Sequence, residues 1–373
     1  MAITSTIITI NDPENYGNRL QNYALKTLLE EYGPTSTAYC SGYKPIPAEV
    51  ARVYHPAVAF TKRLLGGMKT GSYGIMRKHH SRCVEFTRNH VPADGGFVDV
   101  PFGTHPKSKT SDIYVLGSDQ VWNCGTRPTD STLKCLSLYL GDAVPSSSQV
   151  FSYAASIGLS EIGDGKARAT FARCLPRLKA ISVREYRAAE LVKEMTGLDA
   201  TVVLDPTLML PADRWMEITE GFVPPEDRYV LTYFLGYPTD EQERNIQAYA
   251  KTHGCCVRRM LDLRDKETFV AGPQDFVELF SKAEYVFTDS YHACCFSMLF
   301  HKQFTVFNRA GMTGKSSMNS RMETLFRLFD LESIMMDSGL APDIDYEKVD
   351  RLLARHREDS RAWLDKTMKG STK

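Results

Sequence analysis

Residues 285–300 read YVFTDSYHACCFSMLF. Tyr285 to Thr288 is a short apolar run of aromatic and β-branched character, which predicts a buried strand. His292 to Phe300 predicts a helix that starts directly behind it. Asp289-Ser290-Tyr291 is the polar junction between the two. A buried strand that feeds a helix through a short junction is the unit from which parallel α/β sheets are built.

The same unit recurs on both sides. Downstream, Phe304 to Phe307 predicts a strand and Asn319 to Phe329 a helix. Upstream, Tyr229 to Leu235 and Cys256 to Met260 predict strands, and Asp240 to Thr252 and Pro273 to Ser281 helices. An earlier series holds strands at Ile3 to Ile10, Thr35 to Cys40, Ile113 to Leu116, Gln149 to Ala154, Ala180 to Val183 and Thr201 to Leu204. Helices are predicted there at Asn18 to Tyr32 and Tyr186 to Thr196. The change near Asp205-Pro206, with the looser stretch to Asp227, marks a domain boundary. The expected domains are 1–206 and 207–345. Residues 346–373 form a C-terminal segment, amphipathic through Val349, Leu352, Leu353 and Leu364, expected as a helix packed across both domains.

Composition agrees with two packed domains. The chain has 373 residues, against roughly 150 per domain. Hydrophobic residues make up 43% and charged residues 24%, which excludes a mainly disordered chain. Lys+Arg and Asp+Glu both number 45, so no nucleic-acid partner is implied. No apolar run reaches the roughly 18 residues that span a bilayer. The opening MAITSTIITINDPENYG lacks a basic flank and reads as a first strand, not a signal peptide. The nine cysteines follow no metal-ligand spacing; reduced thiols, a cytoplasmic location and no metal are expected. Ala51 to Val84 holds no Asp or Glu but seven cations, Arg77, Lys78 and Arg82 among them. It predicts a basic insertion at about 51–90, either a solvated helix or a peripheral contact with an anionic membrane.

Polar and glycine-rich clusters fall just after strands. Asn15-Tyr16-Gly17-Asn18 follows the first, Gly117-Ser118-Asp119 the one at 113, Ser156 the one at 149 and Arg184-Glu185 the one at 180. Asp205-Pro206 reads as a boundary turn. Open α/β sheets bind ligands at the carboxyl ends of their strands, so two facing sheets aim such clusters into one cleft. Arg184, at the end of a buried strand, is placed to grip a carboxylate or phosphate by its fork. His292 opens a helix behind Asp289 and Ser290, where anions are attracted and an imidazole can exchange protons. The other histidines lack such settings. No P-loop and no GxGxxG follows the first strand; Gly314-Lys315-Ser316-Ser317 lacks the first glycine of a P-loop.

Seven segments in order resemble the polysaccharide pyruvyl transferase family: Asn15 to Ala24, Gly117 to Asn123, Ser152 to Gly158, Ile181 to Glu185, Val203 to Thr207, Thr288 to His292 and Asn319 to Arg321. The resemblance implies two Rossmann-like domains in a GT-B-like arrangement with an interdomain cleft. It implies a pyruvyltransferase that moves a pyruvyl group from phosphoenolpyruvate to sugar hydroxyls of a surface-polysaccharide precursor, forming a cyclic ketal. No cofactor is implied; the partners are phosphoenolpyruvate and a glycan or lipid-linked acceptor. His292 is the expected acid/base and Arg184 the expected donor ligand. Asn15, Tyr16, Gly17, Asn18, Gly117, Ser118, Asp119, Ser156, Asp289, Ser290 and Arg321 are the expected substrate-binding set. The family pattern resembles Ser-Arg-x-His where this chain reads Asp289-Ser290-Tyr291-His292. Ser290 thus replaces a cation, and Arg321 is its expected substitute, with Lys315 and Arg309 in reserve. A GT-B nucleotide-sugar glycosyltransferase and an inert glycan-binding protein are the alternatives.

Overall fold

The computed structural model describes residues 3–41, 71–95, 97–99, 103–104, 110–219, 226–308 and 319–370. The first half runs β1 (Ser5–Ile8), α1 (Tyr16–Glu30), β2 (Thr35–Thr37), β3 (Tyr39–Ser41), α2 (Tyr73–His90), β4 (Phe97–Asp99), β5 (Gly103–Thr104), β6 (Ile113–Asp119), α3 (Asp130–Tyr139), β7 (Gln149–Ala155), α4 (Gly165–Cys174), β8 (Ala180–Val183), α5 (Tyr186–Thr196) and β9 (Thr201–Val202). Two short helices, α6 (Pro206–Met209) and α7 (Ala212–Met216), lead into the second half. That half runs β10 (Tyr229–Tyr233), α8 (Asp240–Thr252), β11 (Cys256–Met260), α9 (Lys266–Phe269), α10 (Pro273–Lys282), β12 (Tyr285–Thr288), α11 (Tyr291–Leu299), β13 (Gln303–Phe307), α12 (Asn319–Phe329) and β14 (Met335–Met336). Helix α13 (Tyr346–Lys369) follows.

One sheet has the order β2-β1-β6-β7-β8-β9 and the other β11-β10-β12-β13-β14. Every pairing in both is parallel. Such strands are covered on both faces, which explains the continuous apolar runs at 113–116 and 285–288. These are two Rossmann-like α/β domains in a GT-B-like arrangement. The expected strand Thr35 to Cys40 divides instead into β2, in the main sheet, and β3, in a small sheet with β4 and β5. Strand β6 continues to Asp119, past the expected end at Leu116. Helices α3 and α4 carry no strong apolar period; Thr129 and Asp164 cap them by accepting from Thr132 N and Ala167 N.

One continuous apolar core joins the two sheets. Tyr16 and Leu20 from the first half and Leu208 and Trp215 from the connecting helices belong to it together with Phe276, Phe280 and Phe296 from the second. Tyr16 is fully buried; its ring packs on Tyr233 and Phe276, and its hydroxyl donates to Ala271 O at 2.7 Å. Helix α13 bridges the same boundary. Arg357 donates to Leu208 O and Leu210 O, Ser360 Oγ accepts from Leu204 N, and His356 bonds Leu328 O. Burial at this junction is why the site below is held as one piece.

All nine cysteines are free thiols. Of the basic insertion, residues 51–70 lie outside the described residues; α2 is described. It buries His79, Cys83 and Phe86 and exposes Arg77 and Lys78, while Arg82 pairs with Asp275. No helix among the described residues is long and apolar enough to cross a membrane.

Candidate active site

Strand β12 ends against β10, with Thr288 Oγ1 donating to Tyr233 O at 2.6 Å and accepting from Ser290 N at 3.0 Å. This fixes the start of α11, where Ser290 is the N-cap residue in extended conformation. His292 therefore sits in the first turn of a helix whose amide end points into the cleft. The walls include Asn15, Gly17 and Asp119 from the first domain and Ser290, His292 and Arg321 from the second. Arg321 stands in the first turn of α12.

Behind this wall lies a buried charge cluster. Arg184 is fully buried, donating from Nη1 to Asp205 Oδ2 at 2.7 Å and from Nη2 to Asp119 Oδ1 at 2.8 Å. Its guanidinium lies over the Tyr291 ring, 4.4 Å from the centroid. Burial opposes its charge, but Asp119 and Asp205 hold its pKa above the ordinary value. Burial likewise works against Asp119, yet Arg184, His292 and Arg321 bring its carboxyl down to about 2. Asp205 is held low too: burial raises it, and His292, Arg184 and the Thr207 amide outweigh that. Its Oδ1 accepts from Thr207 N and Thr207 Oγ1.

His292 Nε2 faces Asp205 Oδ2 at 3.8 Å. Burial is the main reason its pKa lies below the ordinary value, with Arg184 and Arg321 adding to the fall and Asp205 and Asp119 opposing it. The imidazole is therefore neutral at neutral pH and can accept a proton. Burial and the neighbouring Arg184 also bring Arg321 down to about 10, still a cation at neutral pH. Two arginines in one cluster are tolerated because Asp119, Asp205 and Glu185 surround them.

The sequence-predicted residues divide into two groups. Asn15, Gly17, Asp119, Asp289, Ser290, His292 and Arg321 line the cleft. Arg184 does not reach the cleft: its fork is occupied by two carboxylates, so the expected grip on a donor anion is replaced by a structural one. Tyr16 belongs to the interdomain core. Asn18 is buried and accepts from Arg19 through Oδ1. Ser118 is buried with its hydroxyl toward Asp205 at 3.3 Å. Ser156 is buried and donates to Glu185 Oε1, which also accepts from Ile157 N and Gly158 N. Gly117 has φ of +120°, and a Cβ there would stand 2.4 Å from Tyr153 O. Asp289 lines the cleft, but its oxygens accept from Leu235 N and Gly236 N and so pin the loop after β10. Arg309 and Lys315 lie outside the described residues. Asp205 and Gln120 were not among the expected site residues. Asp-Pro-Thr carries a readable helix-cap signal; nothing local signals the second role of Asp205 beside Arg184 and His292.

Among the described residues no cluster of His, Cys, Asp and Glu could hold a metal ion. No curated protein matches the chain. Among solved structures, a putative UDP-N-acetylglucosamine 2-epimerase from Listeria monocytogenes is 11% identical, with a TM-score of 0.46, over 97% of this chain and 91% of that one. The UDP-GlcNAc 2-epimerase from Methanocaldococcus jannaschii is 12% identical, with a TM-score of 0.45, over 95% and 99%. The model of the family described as polysaccharide pyruvyl transferase matches residues 15–311. That span takes in the cleft residues Asn15, Asp119, Ser290 and His292 from both domains, and the chain belongs to the polysaccharide pyruvyl transferase family, a family of transferases.

Proposed function

We propose that the chain transfers a pyruvyl group from phosphoenolpyruvate to two hydroxyls of one sugar in a surface-polysaccharide precursor. The observation that carries this reading is the meeting of Arg321, Ser290 and His292 on one cleft wall. The donor has a carboxylate and a phosphate. Arg321 supplies charge, and the amide end of α11 supplies donors where Ser290 stands in place of an arginine.

His292, neutral and buried, takes the proton from the attacking hydroxyl. That oxygen bonds to C2 of the donor while the C2–C3 π pair takes up at C3 the proton that His292 received, which returns the imidazole to its neutral form. The bond from C2 to the phosphate oxygen then breaks. The second hydroxyl bonds to C2 and closes the ketal, and its proton leaves with phosphate. No redox step and no cofactor enters. The test is phosphate release from phosphoenolpyruvate in the presence of a panel of methyl pyranosides, with UDP-sugars as competing donors. Release that depends on a pyranoside supports the reading; turnover of UDP-sugars alone contradicts it. In this reading the reaction runs in the cytoplasm, and the exposed face of α2 meets an anionic membrane when the acceptor is lipid-linked.

A further inference from the structure

We infer that Asp205 is the positioning residue of His292, fixing the imidazole as the Nε2–H tautomer and leaving Nδ1 as the atom that exchanges protons with substrate. The inference rests on the proposed acid/base role of His292 but reaches further, to which ring nitrogen reacts and what decides it. Nε2 is buried and makes no hydrogen bond among the described residues. A buried imidazole nitrogen without a partner costs free energy, so its nearest carboxylate matters. That group is Asp205, with Oδ2 at 3.8 Å.

No other carboxylate stands as near the ring: Asp119 acts on it from beyond ion-pair distance and holds Arg184, and the remaining charged neighbours, Arg184 and Arg321, are cations. Asp205 is also immobile. It caps α6 through Oδ1, while Oδ2 accepts from Arg184 at 2.7 Å and from Ser118 at 3.3 Å. A carboxylate held this firmly accepts a proton-bearing nitrogen and repels a bare one, which selects the tautomer. A shift of the ring by about 1 Å would bring Nε2 within hydrogen-bond reach.

The opposite edge of the ring meets the first domain. A Cβ on Gly17 would lie 2.1 Å from Nδ1, so Nδ1 abuts the one residue of α1 that leaves space there. Gly17 and Asn15 both line the cleft. A sugar hydroxyl that approaches the ring from the cleft on this side meets Nδ1, and Nε2 stays behind on Asp205.

The test is nitrogen-15 NMR of the histidine-labelled full chain at neutral pH, before any donor or acceptor is added. His292→Gln identifies the resonance. The expected result is a dominant Nε2–H pattern for His292, mixed tautomers in Asp205→Asn, and a lower His292 pKa in that variant, because the removed charge favours the imidazolium. A dominant Nδ1–H pattern in the parent protein overturns the assignment. An unchanged pattern in a folded Asp205→Asn overturns the role of Asp205. The parent spectrum alone decides the tautomer if that variant does not fold. Neither spectrum needs phosphoenolpyruvate, so a failure here is separable from a failure of the donor assignment.

Discussion

The imidazole of His292 occupies the space that a side chain on Gly17 would need: a Cβ built there would stand 2.1 Å from Nδ1 and 2.6 Å from Cγ. The first turn of α1 in one domain and the first turn of α11 in the other thus close on each other at the proposed acid/base. Gly17→Ala should displace the imidazole while the fold persists. Loss of general acid/base catalysis spans about a hundredfold to ten-thousandfold, and turnover in this variant should fall by about tenfold or more. In a His292→Ala background the same substitution should be harmless to turnover and should stabilise the helix by up to about 1 kcal/mol. Equal activity losses in both backgrounds would show that Gly17 acts elsewhere.

The pH dependence of stability has a definite sign at His292. Burial lowers its pKa in the folded chain, so the unfolded chain takes up the proton first as pH falls below about 6.5. This contribution is full above neutrality and is lost below it. The His90 pKa is lowered by burial as well and acts in the same direction. Melting curves from pH 7.5 to 5.5 should fall less steeply for His292→Gln than for the parent. Parallel curves would mean the imidazole titrates normally. Asp119, held down to about 2, stabilises the fold above the ordinary carboxylate range and ceases to do so only as pH falls towards its own pKa.

Arg184 is a scaffold in this account. Its removal leaves Asp119 and Asp205 buried without their cation, a loss of about 3–5 kcal/mol. Urea denaturation of Arg184→Met should show a lower midpoint by that measure. A stability close to the parent's would contradict the structural role and return Arg184 to the donor.

The sheets were legible because parallel strands buried on both faces are apolar throughout; Tyr285 to Thr288 and Ile113 to Leu116 announce themselves. Helices α3 and α4 were not, since capping by Thr129 and Asp164 supports them where an apolar stripe does not. His292 was legible from its place behind a strand. The division of the polar residues was not. Arg184 directly follows a strand and Arg321 opens a helix, and only the fold shows that Asp119 and Asp205 close around the first. Asp205 read as a boundary turn because its partners Ser118, Arg184 and His292 come from β6, the end of β8 and α11, distant in sequence. Gly17 read as a substrate-binding residue, while the constraint on it comes from the ring of His292, 275 positions on (292 less 17).

The exposed Arg77 and Lys78 of α2 should contribute about 1 kcal/mol each to binding an anionic lipid surface at low salt. The parent protein should co-sediment with phosphatidylglycerol vesicles, and Arg77→Glu with Lys78→Glu should weaken this. Absence of parent binding would leave α2 as a solvated helix.

The central claim is that Arg321 holds the donor where Ser290 replaces an arginine. Calorimetric titration with phosphoenolpyruvate tests it most directly. The parent should bind, and Arg321→Ala should lose about 2 kcal/mol, close to thirtyfold in affinity. Arg321→Ala with Ser290→Arg should recover part of that loss. Equal affinity of Arg321→Ala and the parent would contradict the account, as would a parent that binds UDP-sugars but not phosphoenolpyruvate.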